Sequence, residues 1–212
     1  MTRSVRVVKV GGSLLDLESF PERVGQWLQQ QSSAAQVLVA GGGQLADVVR
    51  QADALHRIGD EFGHWLCVSL MEITARLLAR LLPGSQLIED YNALAAVLDD
   101  DLSCSKAAKR DQCNRSIVFA VESYLREHEP IHPGAKATHD WRTTSDAIAA
   151  RLAVSIGAEE LVLLKSTALP PGTSRIDAAK RGLVDERFPS VSESLTVRWV
   201  DLRGNDRAEA RL

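Results

Sequence analysis

No run of apolar residues in this sequence approaches the roughly 20 needed to cross a bilayer, so a helical membrane anchor is not expected. Cysteine is scarce as well. Cys67, Cys104 and Cys113 are an odd number, and no secretory hydrophobic segment follows Met1. A disulfide framework is therefore not expected, and a reducing cytoplasm is the expected compartment. His128 and His132 do not combine with Cys104 and Cys113 in the paired spacing of a zinc site, and they read as surface residues beside Pro130 and Pro133. Nor does one charge dominate: 25 Lys and Arg face 28 Asp and Glu, interspersed, for a net charge of −3. That leaves no broad basic face for nucleic acid, while a small anion could still bind locally. Internal repeats and low-complexity tracts are lacking.

What is present is a soluble-type balance, 45% hydrophobic and 25% charged residues over a length of 212. That length suffices for one large domain, or two small ones, with a sizeable core. Short, β-branched, nearly continuous apolar runs read as strands over Val5–Val10, Gln36–Ala40, Ser116–Val121, Leu161–Lys165 and Thr196–Asp201. Helical periodicity covers Glu22–Gln31, Gln44–His56, Asp60–Leu82, Tyr91–Leu98 and Ser145–Gly157. Strands of this kind belong to a parallel sheet covered on both faces. The alternation predicts an α/β fold, a three-layer αβα sandwich around a mainly parallel sheet. Pro83-Gly84 should stop the long middle helix and Gly157 should cap the later one. Asp99–Asn114 reads as a polar surface loop, and the charged tail from Arg203 as a frayed end. His56 and His64 sit on helical patterns, where a core or solvent role is expected, and Trp27, Trp65 and Trp199 are expected to pack without polar company.

Four fragments could carry chemistry. The first strand bears Lys9 and opens into Gly11-Gly12-Ser13. A lysine beside bare amides at the carboxyl end of a strand can hold a phosphoryl group as charge develops on it. A plain turn with a solvated lysine is the competing reading. The second strand ends in Gly41-Gly42-Gly43; three glycines carry an entropic cost that close approach of a ligand would offset, and the next helix aims its N-terminus at the same space. A flexible loop is the alternative. The third fragment, Asp140 to Asp146, combines Trp141, Thr144, Ser145 and Asp146. Helix capping accounts for the hydroxyls, and a wall for a small polar ligand accounts for the tryptophan as well. The fourth is Lys165-Ser166 at the end of a buried-type strand, which parallel strands would bring to the same sheet edge as Lys9. An exposed terminal lysine is its simpler explanation.

Together Val8–Ser13, Ala40–Gly43 and Thr144–Ala149 resemble the amino acid kinase superfamily. The resemblance implies ATP and Mg2+ as cofactors. It implies phosphate binding by Lys9, Gly11, Gly12 and Ser13, acceptor binding by Gly41, Gly42 and Gly43, and an aspartate, Asp146, that orients the catalytic lysines. Residues 1–140 would form an acceptor-binding lobe and 141–205 a shortened nucleotide-side lobe. Within the superfamily, the short length and the His139-Asp140-Trp141 lead look most like the small kinases of methanofuran biosynthesis. That likeness implies a small phosphorylated alcohol, aminomethylfuran-methyl phosphate, as acceptor, with Trp141, Thr144 and Ser145 on the substrate. No histidine directly follows either glycine loop, which counts against an isoprenoid phosphate acceptor.

The family's acidic residue after the late strand is missing from Ser166 to Pro171, as is its later glycine-rich segment with a second lysine. Lys165, ahead of Lys180, is the expected replacement cation, with Ser166 beside it on the phosphates. These departures keep open a second reading, a non-catalytic ligand-binding member of the fold. Family members commonly dimerise through helices after the acceptor loop, which implies a homodimer through the helix Phe62–Leu82.

Overall fold

The computed structural model describes residues 4–32, 34–103, 116–204 and 207–212. Strand β1 (Val5–Val10) is buried at every position, and so is β2 (Ala35–Ala40). That is the pattern of strands with apolar layers on both sides. They lie at the centre of a seven-stranded sheet ordered β3-β4-β2-β1-β5-β6-β7, with β3 Gln86–Ile88, β4 Ser116–Phe119, β5 Glu160–Lys165, β6 Thr196–Asp201 and β7 Glu209–Arg211. All neighbours are parallel except β6 and β7.

Because side chains alternate along a strand, the sheet sorts its residues onto two cores. Val8, Val10, Leu38, Ala40, Val162 and Leu164 face one side, where α1 (Phe20–Gln30) supplies Phe20, Val24 and Trp27. Val5, Val7, Val37, Val39, Leu161 and Leu163 face the other, against the Ala-rich α5 (Ser145–Ser155). Period two puts Lys9 on the α5 side with Val5 and Val7. It puts Lys165 on that side with Leu161 and Leu163. The register pairs Lys9 with Leu163, so the two lysines are neighbours near the carboxyl edge of the sheet. Outside the sheet, α2 (Gly43–His56) packs on the long α3 (Asp60–Leu81), and α4 (Tyr91–Ser103) adds Leu94 and Leu98 to the α5-side core.

The expected punctuation is present. Gly84 and Gly157 both take positive φ just past helix ends, at 86° and 63°, a conformation that suits glycine. Several boundaries differ from expectation. Helix α4 runs on to Ser103 through the acidic residues that read as a loop, since Asp99 and Asp100 are exposed and leave no apolar period to follow. The remainder of that expected loop, 104–114, lies outside the described residues, as do Cys104 and Cys113. The tail is not frayed: β7 pairs antiparallel with β6, and Glu209 accepts from Trp27 Nε1 at 3.2 Å and pairs with Arg198 at 3.1 Å. Three-residue strands such as β3 and β7, and the short helices α6 (Arg175–Lys180) and α7 (Phe188–Val191), are too brief for periodicity to register.

Trp27 is thus buried with a polar partner. Trp199 Nε1 likewise donates to the Thr167 carbonyl at 2.8 Å, and the Arg126 guanidinium lies 4.0 Å from the Trp65 ring centre. His128 and His132 are half-buried against Tyr91, whose hydroxyl is 3.1 Å from His132 Nε2, rather than free on the surface.

Candidate active site

Parallel pairing brings the ends of β1, β2 and β5 to one rim. Gly11 N donates to Leu164 O and Gly41 N to Val10 O, each at 2.9 Å, so both glycine loops leave the sheet side by side. Their glycines are needed for mutual approach. A Cβ on Gly12 would lie 2.2 Å from Gly43 N, and one on Gly43, where φ is 57°, would lie 2.9 Å from Gly12 O. Helix α2 starts at this contact with no side-chain cap, leaving first-turn amides for an anion.

Behind the loops sits a compact charge cluster. Asp146, in the first turn of α5, is buried between two lysines: Lys9 Nζ is 2.9 Å from Oδ1 and Lys165 Nζ 2.8 Å from Oδ2. Burial alone would raise the Asp146 carboxyl, but the ammonium groups of Lys165 and Lys9 outweigh it and hold the acid below its ordinary value. Lys165 also donates to Leu183 O at 2.7 Å and lies 5.1 Å from the Trp199 ring centre. Burial pushes its pKa down to about 8; Asp146 opposes that shift and Lys9 adds to it.

Sequence reasoning missed Asp185. Its Oδ2 accepts from Thr144 N at 3.2 Å, Thr144 Oγ1 at 3.0 Å and Ala147 N at 2.9 Å, which makes it the cap of α5 supplied from a distant segment. Burial, then the like charge of Asp146, push this carboxyl up to about 7. A cap that reaches Thr144 from 41 residues along the chain leaves no local signature.

The rim opens on a cavity of about 380 Å³, within the range of small-ligand sites. Lys9, Gly12, Ser13, Gly41, Gly42, Gly43, Trp141, Thr144 and Ser145 line it. Gly11 stays on the strand end, Asp146 and Lys165 lie behind the wall, and Ser166 is bound to Ser13 with the two hydroxyl oxygens 3.0 Å apart. Lys180 is exposed at the end of α6 and is not among the residues lining the cavity. Trp141 is fixed from two sides: its Nε1 donates to Asp53 Oδ2 at 2.8 Å, and a Cβ on Gly63 would come within 2.3 Å of its ring. The loop leading to it is anchored by a buried ion pair, Arg151 Nε to Glu129 Oε1 at 2.9 Å, with Ala137 N donating to the same oxygen.

Asp16, Asp47, Arg50 and His64 also line the cavity and were not expected there. His64 is buried, with its pKa lowered by burial and by His139. The signal available was the spacing His64, Val68, Met71 on α3, which marks an inward face without distinguishing core from cavity wall. Asp47 and Arg50 form an exposed pair at 2.7 Å on α2, a spacing that does not separate a cavity wall from an ordinary helix surface.

Among the described residues, no three His, Cys, Asp or Glu side chains converge as metal ligands, and no helix is long and apolar enough to cross a membrane.

Known proteins carry the same architecture. The chain is similar to [5-(aminomethyl)furan-3-yl]methyl phosphate kinase of Methanocaldococcus jannaschii, 24% identical over 160 residues, which are 75% of this chain and 64% of that protein. Its fold is similar to the uridylate kinase of Archaeoglobus fulgidus, with a TM-score of 0.56, 19% identity and coverage of 94% of this chain and 90% of that one. It is also similar to the UMP kinase of Bacillus anthracis, with a TM-score of 0.59, 11% identity and full coverage of both chains. The sequence model of the Amino acid kinase family matches residues 4–168. With that match spanning most of its length, the chain belongs to the amino acid kinase family.

Proposed function

We propose that this protein is an ATP-dependent phosphotransferase acting on a small phosphorylated alcohol. The observation that carries the reading is the Lys9–Asp146–Lys165 cluster set directly behind two apposed glycine loops at the rim of the cavity. Phosphoryl transfer asks a protein chiefly for alignment and for cations where negative charge accumulates. An acceptor phosphate oxygen attacks the γ-phosphorus of ATP; the bond to the β–γ bridging oxygen breaks, and ADP leaves with the electron pair. No side-chain base is required, because a phosphate monoester oxygen is already ionised near neutral pH.

Lys9, Gly11, Gly12 and Ser13 would receive the transferred group, with Ser166 at its edge, while Asp146 keeps both ammonium groups charged and aimed. Lys165 takes the place of the family's later lysine. Gly41, Gly42, Gly43, Thr144 and Ser145 would hold the acceptor phosphate, with the open amides of α2. Mg2+ would be held mainly by the nucleotide's own phosphates, where it would offset their charge.

The name of the Methanocaldococcus relative suggests [5-(aminomethyl)furan-3-yl]methyl phosphate as the acceptor. Trp141 suits its flat ring, and Asp16 or Asp47 its amine. The test is transfer from labelled ATP to this compound by the purified protein. Lys9→Ala should lower kcat/KM by about 10²-fold or more; an unchanged rate would reject the assignment.

A second reading, a ligand-binding member without catalysis, is favoured by two features: the loop from Ser166 to Pro171 holds no acid, and the Leu183 carbonyl occupies a donor of Lys165. Thermal stabilisation by ATP with magnesium supports the kinase; stabilisation by the acceptor alone, without turnover, supports the second reading.

A further inference from the structure

Asp185 lies beyond residue 168, where the family match ends, on the segment joining α6 and α7. We propose that Asp185 is a positioning residue for the Lys9–Asp146–Lys165 cluster: it fixes the helix turn that carries Asp146 and places a second negative charge behind Lys165. The activity arm of this inference rests on the phosphotransferase reading; its electrostatic arm does not.

The segment Leu183–Asp185 grips both partners of one ion pair. Leu183 O takes a hydrogen bond from Lys165 Nζ at 2.7 Å. Two residues on, Asp185 Oδ2 accepts from Thr144 N, Thr144 Oγ1 and Ala147 N. These donors bracket Asp146 in sequence, so the orientation of the first turn of α5, and with it the Asp146 carboxylate, is set by Asp185. The helix's own flanking residue does not do this, since Thr144 makes no side-chain cap.

Capping alone would need one oxygen. The other, Oδ1, is buried and has no hydrogen-bond partner among the described residues, which is an expensive way to end a helix. Asp146 on α5 opposes the charge of this carboxyl, while its hydrogen bonds from Ala147 and Thr144 favour it; the carboxyl in turn favours the charged form of Lys165 on β5, and Lys9 on β1 stands beyond Asp146. Two lysines would otherwise share a single buried aspartate. A second carboxylate offsets part of their mutual repulsion and helps keep Lys165 protonated, the form that can meet a phosphate.

Two variants separate positioning from simple capping. Asp185→Asn keeps an acceptor oxygen for α5 and removes the charge; Asp185→Ala removes both. The Lys165 side-chain nitrogen is followed by NMR through a pH titration of the full chain, with Lys165→Arg used to assign its signal. The expected result is a midpoint moved to lower pH in both variants, because each loses the negative charge behind the ammonium. An unmoved midpoint in Asp185→Asn overturns the inference and leaves Asp185 a cap. If turnover is found, Asp185→Ala should lower kcat by about tenfold or more with a smaller change in acceptor KM, and Asp185→Asn should recover part of it. A loss equal in both variants would overturn the helix-orienting half. Should no acceptor be phosphorylated by the wild type, the kinase reading fails while the lysine titration still decides this one. If Asp185→Ala does not fold, Asp185→Asn carries the test.

Discussion

Lys165 and Asp185 give the fold a pH dependence that can be read residue by residue. Between about 8 and its ordinary value of 10.5, Lys165 is protonated only in the unfolded chain, so stability rises with pH across that window. Between its ordinary value of 3.8 and about 7, Asp185 holds its proton only in the folded chain, so stability falls as pH climbs through that range. The two windows leave a shallow stability minimum between them. Melting temperatures taken from about pH 5 to about pH 10 should trace it. Phosphoryl transfer should run against stability on the alkaline side, declining above about pH 8 as Lys165 loses its charge. A rate that held constant to pH 10 would remove Lys165 from the chemistry. Of these groups the two lysines and Asp146 were legible in the sequence, because each ends a strand or opens a helix next to glycine or hydroxyl residues. Asp185 was not, because a capping side chain that arrives from another segment obeys no spacing rule.

At the scale of elements, the glycine loops make a sharper statement than their composition did. Read from the sequence, Gly11-Gly12 and Gly41–Gly43 were places for a ligand to approach the backbone. In the fold, Gly12 and Gly43 are required by each other, since neither can carry a Cβ without meeting the opposite loop. Gly12→Ala should therefore destabilise the protein by about 1–3 kcal/mol through forced displacement of the loops, and should weaken nucleotide binding as well. Gly25, inside α1 with nothing within 4 Å of the point where a Cβ would stand, is the natural control. Gly25→Ala should stabilise by about 0.4–1 kcal/mol. Denaturant melts of the two variants compare them directly, and equal effects would mean that the loop contact carries no energetic weight. The strands and long helices were readable because continuous apolar runs and 3.6-residue periods persist over several turns. Cavity-wall residues such as His64 and Arg50 were not, since an inward or outward helix position does not by itself reveal an adjoining space.

For the whole molecule, the outer surface of the α2–α3 pair is unusually apolar. Leu45, Val48, Phe62, Leu66, Ile73 and Leu77 are all exposed, and the last four fall along α3 at helical spacing. We propose that a second copy of the chain covers this face, the homodimer that the resemblance implies. Light scattering should give twice the mass of one chain, and Phe62→Asp with Ile73→Asp should halve it. A wild-type monomer at micromolar concentration would rule the interface out. The layered α/β architecture was legible as a whole because strand and helix alternate along the sequence, while the antiparallel β7 escaped notice because it is three residues long and charged.

The central strand has a consequence for how the chain comes off the ribosome. β1 pairs on one side with β2, about 30 residues later, and on the other with β5, about 155 residues later. Until β5 emerges, a nascent chain holds Lys9 without the neighbouring ammonium and offers an open sheet edge to other chains. The buried Lys9–Asp146–Lys165 cluster and the structural core therefore close in the same late event, and a product truncated before Lys165 should be cleared or aggregate rather than persist half-folded.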